Sequence, residues 1–98
     1  MPQAPQGKPH MQERKLTIVN RLGLHARAAV KLVSVCSKYV SEVVIVANGR
    51  RANGRQMMAI LLLSASMGAT ISIEASGPDE VEAITAVTRL INNGFGEG

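Results

Sequence analysis

Residues 42–53 read Glu-Val-Val-Ile-Val-Ala-Asn-Gly-Arg-Arg-Ala-Asn, and they set the fold class. Glu42 to Ala47 is a β-branched run with Val43 and Ile45 on one side, the pattern of a strand with one buried face. Asn48-Gly49 is a two-residue hairpin signal, because both positions tolerate the positive φ of a tight turn. Arg50 to Asn53 is the return strand. Antiparallel pairing follows, and the flanking segments must cover the apolar face.

Toward the N-terminus, Glu13 to Asn20 alternates, with Leu16 and Ile18 opposite Lys15 and Thr17, and predicts a half-buried strand. Arg21-Leu22-Gly23-Leu24 turns the chain. From Ala26 to about Lys38, the residues Ala29, Val30, Val33 and Cys36 recur at helical spacing. Toward the C-terminus, Gly54 ends the return strand and Gln56 to Ser64 predicts a short apolar helix. Thr70 to Ala75 alternates as a strand. Gly77-Pro78-Asp79-Glu80 opens a helix with Pro78 at its first position. Val81, Ile84, Val87 and Ile91 form its buried stripe, and Asn92-Asn93-Gly94 ends it. The order is βαββαβα, an α+β fold with an antiparallel sheet covered on one side. Residues 1–12, rich in Pro and Gln, are expected to be a disordered tail, and residues 13–98 one domain.

Only Tyr39 and Phe95 are aromatic. The core must therefore be aliphatic, and a single-stranded nucleic-acid binder lacks the rings on which bases stack. A net charge of +4 favours an acidic partner, yet no dense Lys/Arg run marks a nucleic-acid surface. The lone Cys36 excludes an intrachain disulfide and fits a reducing compartment. The run Ala59 to Leu63 is far too short to span a membrane, and the start carries no apolar signal segment. A cytoplasmic protein without membrane contact is expected.

The chemistry concentrates in Gly23-Leu24-His25-Ala26-Arg27-Ala28-Ala29. With His25 as N-cap, the backbone N–H groups of Ala26, Arg27 and Ala28 have no helical acceptor. Those donors and the positive helix end make an anion site, which the Arg27 guanidinium can join. Positive surroundings favour an uncharged, nucleophilic imidazole, and the same donors stabilise a phosphoryl group attached to it. Each donor contributes on the order of 1–2 kcal/mol, enough to tune transfer without trapping the product. The plain alternative is an ordinary surface histidine beside an arginine. His10 lies in the tail, so a metal site lacks ligands. No Ser/His/Asp set or glycine-rich nucleotide loop appears, and no cofactor is expected. Nothing in the pattern builds a small-molecule pocket, so the substrate is expected to be another protein.

Met57 through Leu63 is apolar nearly all round, more than one side of a short helix can bury. Adaptable methionines suit a surface that meets several partners. The expected docking set is Val30, Lys31, Arg55, Met57, Met58 and Leu61. The opposing reading places Met57, Met58 and Leu61 in the core.

These residues closely resemble the HPr family, the histidine phosphocarriers of the bacterial phosphotransferase system. The likeness runs from residue 14 to about 94. It rests on GLHAR at 23–27, SEVVIVANG at 41–49, GR at 54–55 and SGPDE at 76–80. It implies an open-faced β-sandwich, four antiparallel strands with three helices on one face. It also implies that His25 accepts phosphate on Nδ1 from enzyme I, loaded from phosphoenolpyruvate, and passes it to a histidine of an enzyme IIA. Arg27 is then the active-site arginine, and the protein is a stoichiometric carrier rather than a free-standing enzyme. A monomer is expected.

Three features depart from the usual family pattern. Ala28 replaces the usual proline, which loosens the first turn and adds a donor. Gln56 stands where many Gram-positive relatives have a regulatory serine, and it cannot be phosphorylated. Leu22 and Asn92-Asn93-Gly94-Phe95 look like the nitrogen-type (NPr) branch, which feeds a regulatory IIA. The alternative function is a regulatory HPr-like module that docks without phosphotransfer. Coeffectors of that kind tend to lack the histidine, whereas His25 and Arg27 both stand here.

Overall fold

The computed structural model describes residues 11–97. Four strands and three helices run as β1 (Met11–Thr17), α1 (Ala26–Cys36), β2 (Glu42–Ala47), β3 (Arg50–Asn53), α2 (Met57–Leu61), β4 (Thr70–Ser76) and α3 (Glu80–Asn92). A 3-10 turn at Gly94–Gly96 follows α3. The strands form one antiparallel sheet in the order β1-β4-β2-β3, which bears out the open-faced α+β architecture. Asn48 and Gly49 have φ of 52° and 77°, the tight turn foreseen between β2 and β3.

Register explains which face is buried. Ile45 of β2 lies opposite Ile73 of β4 and Ala52 of β3, and all three are buried. The next positions, Val46, Ser72 and Arg51, point to the other face, because side chains alternate along a strand. On that open face Arg51 pairs with Glu74 at 2.8 Å. The apolar face carries the helices, with Leu32 and Cys36 of α1, Ile60 of α2, and Ile84, Val87 and Ile91 of α3 in a single core.

Several boundaries move. Met11 and Gln12, expected in the tail, are the first residues of β1 and pair with Ser76 and Ala75 of β4; the rest of that tail, residues 1–10, lies outside the described residues. α1 and α2 are shorter than their apolar patterns. The buried stripe of α1 is Ala28, Ala29, Leu32 and Cys36; small alanines let the helix sit close, and Val30 is turned out at 53% exposure. Val81 is likewise exposed, because α3 meets the sheet through Ala83, Ile84, Val87 and Ile91. Pro78 lies before the N-cap, Asp79, rather than at the first helical position.

The reason for that last shift is a long-range contact. The Asp79 carboxylate accepts from Val40 N at 3.0 Å, Ser41 N at 2.9 Å and Ser41 Oγ at 2.5 Å, so it ties the start of α3 to the entry of β2. The Ser41 hydroxyl bond, followed by the Val40 amide, holds the Asp79 carboxyl below the ordinary aspartate range. A carboxyl lowered in the folded state stabilises the fold at neutral pH, and that contribution fades as protons return. Asp79→Asn is expected to lower the urea midpoint at neutral pH and to flatten the fall in stability below about pH 4. Parallel pH profiles for the two proteins would show that another group is responsible.

Candidate functional site

His25 reaches the surface through a loop with little freedom. Gly23 has φ of 66°, and a Cβ there would lie 2.5 Å from the Ala65 carbonyl oxygen. Leu24 is buried and donates its N–H to that same carbonyl at 2.9 Å. The buried Asn20 closes the turn: its carbonyl accepts from Gly23 N at 3.2 Å, and its Nδ2 donates to Gly23 O at 2.9 Å. The chain then enters α1 with His25 as N-cap in extended backbone.

The foreseen cap geometry is present. Arg27 N donates to His25 Nδ1 at 3.3 Å, and Ala29 N is the first amide to find a backbone acceptor, the His25 carbonyl, at 2.9 Å. The amides of Ala26, Arg27 and Ala28 thus precede the helical ladder, at the positive end of α1. Ala28 itself is fully buried, where the family pattern has proline. Ala26 and Arg27 are exposed, and the Arg27 side chain makes no hydrogen bond among the described residues.

The other side of the ring holds a residue that sequence reasoning missed. Glu97 Oε2 lies 2.5 Å from His25 Nε2. The positive surroundings foreseen for His25 therefore include a carboxylate. Asn20 Nδ2 also donates to Glu97 Oε1 at 3.1 Å, and this bond is the main cause that holds the Glu97 carboxyl below its ordinary range, ahead of the contact with His25. A backbone N–H aimed at Nδ1 and a carboxylate at Nε2 select one tautomer: Nε2 carries the proton and donates it, and Nδ1 keeps its lone pair.

A coiled return brings Glu97 there. Phe95 has φ of 57°, between Gly94 and Gly96, which also have positive φ. A left-handed non-glycine residue costs about 1–3 kcal/mol. Phe95 is fully buried, and burial of such a ring returns about 1.5–3 kcal/mol. Lys31 Nζ donates to the Phe95 carbonyl at 2.5 Å. Lys31, expected at a docking rim, therefore fastens this return. The Gly-Phe-Gly spacing was the available sequence signal, but it does not say where Glu97 lands.

The expected docking residues divide. Met58 is 67% exposed and Val30 shares the outer side of α1 with Arg27. Met57 and Leu61 pack against the core. The exposed residue one turn after Met58 is Leu62, and Leu22, before His25, is exposed too. The Arg55 guanidinium donates to the Tyr39 carbonyl. Gln56 is the exposed N-cap of α2, without a side-chain cap bond.

The family described as the PTS HPr component phosphorylation site matches residues 12–93. The chain belongs to the HPr family. Among similar HPr-family proteins, phosphocarrier protein HPr of Cupriavidus necator is 46% identical and covers 90% of this chain and 99% of its own length. Phosphocarrier protein NPr of Shewanella violacea is 39% identical over 87% of this chain and 93% of its own. A crystal structure of HPr from Thermoanaerobacter tengcongensis superposes with a TM-score of 0.85 at 37% identity, covering 89% of this chain and 98% of that one. The HPr fold and the phosphocarrier class reached from GLHAR and the hairpin are thus shown independently.

Glu97→Ala is expected to loosen the tautomer preference of His25. Imidazole nitrogen NMR should report an Nδ1 that is largely unprotonated in the parent and an averaged ring in the variant. Unchanged nitrogen shifts would mean that Arg27 N alone sets the tautomer.

Proposed function

We propose that this HPr-family chain carries a phosphoryl group on His25 Nδ1, taking it from enzyme I of the phosphotransferase system and delivering it to an enzyme IIA. The carrying observation is the environment of one ring: the Arg27 N–H meets Nδ1 at 3.3 Å, and the Glu97 carboxylate lies 2.5 Å from Nε2.

The lone pair attacks the phosphorus of a donor phosphohistidine. The new N–P bond forms at Nδ1 as the donor N–P bond breaks, and that electron pair returns to the donor imidazole. Arg27 N, bonded to Nδ1 beforehand, is released to a phosphoryl oxygen, and the Arg27 guanidinium adds a fork of donors. Delivery to the acceptor histidine reverses these steps. Glu97 keeps the Nε2 proton in place throughout, so the leaving imidazole departs uncharged.

Ala26, Arg27, Val30, Met58 and Leu62 form the contact surface, with Leu22 beside the loop. This departs from the sequence reading in leaving Met57 and Leu61 half-buried against the core, Lys31 to the C-terminal return and Arg55 to the Tyr39 carbonyl. The site is complete in one chain, which supports action as a monomer. The buried, unpaired Cys36 suits the cytoplasm. Leu22 and Asn92-Asn93-Gly94-Phe95 support a regulatory acceptor of nitrogen type. Gln56 in the regulatory-serine position supports freedom from kinase control.

Incubation with enzyme I, magnesium and labelled phosphoenolpyruvate is expected to give an acid-labile, base-stable adduct. It should vanish in His25→Ala and form about ten- to a hundredfold more slowly in Arg27→Ala. Label retained by His25→Ala would move the acceptor elsewhere. Transfer from the phosphorylated chain to purified nitrogen-type and sugar-type IIA proteins then decides the branch.

Met58→Glu is expected to weaken transfer from enzyme I while circular dichroism stays unchanged, since Met58 lies on the surface. Untouched transfer would remove α2 from the contact surface.

A further inference from the structure

An open cleft of about 770 Å³ lies between β1 and α3, lined by Arg14, Thr85, Thr88, Arg89, Asn92 and Asn93. The residue pattern led to no such pocket. Arg14 sits opposite Ile73 in the β1–β4 register, so it is on the side of the sheet that the helices cover. β1 is the edge strand, and Arg14 remains exposed beside the flank of α3.

The lining is charged in one sense only. The chain's Asp and Glu residues are Glu13, Glu42, Glu74, Asp79, Glu80, Glu82 and Glu97, and none lines the cleft. Among the described residues the ion pairs are His25 with Glu97 and Arg51 with Glu74, so Arg14 and Arg89 have no carboxylate partner. Arg14 Nη1 donates to the Glu13 carbonyl at 2.9 Å, which leaves most of its fork available. Thr88 Oγ1 is buried without a hydrogen-bond partner, a costly state for a hydroxyl. The Thr85 hydroxyl is already committed to the Val81 carbonyl at 2.7 Å.

Two guanidiniums lining one cleft, Arg14 from a strand and Arg89 from a helix, suit a ligand with more than one oxyanion group. Guanidinium binds phosphate and carboxylate through paired N–H donors. The volume is within the range of small-molecule sites, and every side chain that lines the open cleft carries hydrogen-bonding groups. We propose that this cleft binds a small organic phosphate, its phosphate on one arginine and a second acidic group on the other. The site is separate from His25 and does not depend on the carrier reading.

The test is a titration of the uniformly nitrogen-15-labelled full chain with phosphoglycolate, inorganic phosphate and a tetraglutamate peptide at fixed ionic strength. Phosphoglycolate should shift the amides of Arg14, Thr88, Arg89 and Asn92, and should bind about tenfold more weakly to Arg14→Gln and to Arg89→Gln. Both variants should still accept phosphate at His25. Phosphoglycolate binding more tightly than inorganic phosphate supports the organic ligand; equal affinity for the two assigns the site to free phosphate and overturns it. Shifts confined to residues 25–29, or a response to tetraglutamate alone, would also overturn it. The parent titration decides the matter even where a variant fails to fold.

Discussion

The hydrogen bond between His25 and Glu97 joins residues 72 positions apart, and it works only because the segments that carry them are both anchored. On one side the Asn20 to Leu24 turn is seated against the Ala65 carbonyl. On the other, burial of Phe95 and the Lys31 clasp hold a coiled return. Asn20 touches both, through Gly23 and through Glu97. One amide side chain therefore couples the loop that presents the imidazole to the segment that orients it.

In the proposed carrier role, this arrangement separates two jobs that His25 must combine. The Arg27 N–H lies on the Nδ1 side, where the proposed phosphoryl group would bring negative charge. Glu97 lies on the Nε2 side, where the proton must stay. A site built only of positive groups would bind the anion but leave the tautomer open. With the carboxylate added, the nitrogen proposed as the nucleophile is the one that faces the Arg27 N–H.

The periphery follows the same economy. α1 turns Ala28, Ala29 and Leu32 inward, which leaves Arg27 and Val30 on its outer side, while Met58 and Leu62 are exposed at α2. Asp79, in a segment that reads as a helix start, also ties α3 to the entry of β2, so the start of the helix that leads to the Glu97 return is held in place. The β1–α3 cleft arises at the sheet edge, where α3 leaves Arg14 uncovered.

The sequence by itself determined the element order, the hairpin at Asn48-Gly49, the single apolar face and the N-cap role of His25. Each depends on residues within a few positions of one another, where backbone preference and side-chain periodicity act directly. The resemblance carried by GLHAR and SGPDE extended this to the family. Tertiary structure alone decided that Glu97 meets His25, that Lys31 is a clasp, that Val81 faces solvent and that Met57 and Leu61 pack half-buried against the core. Periodicity marks a residue as apolar or charged but not which neighbour it meets, because that depends on how elements distant in sequence pack together.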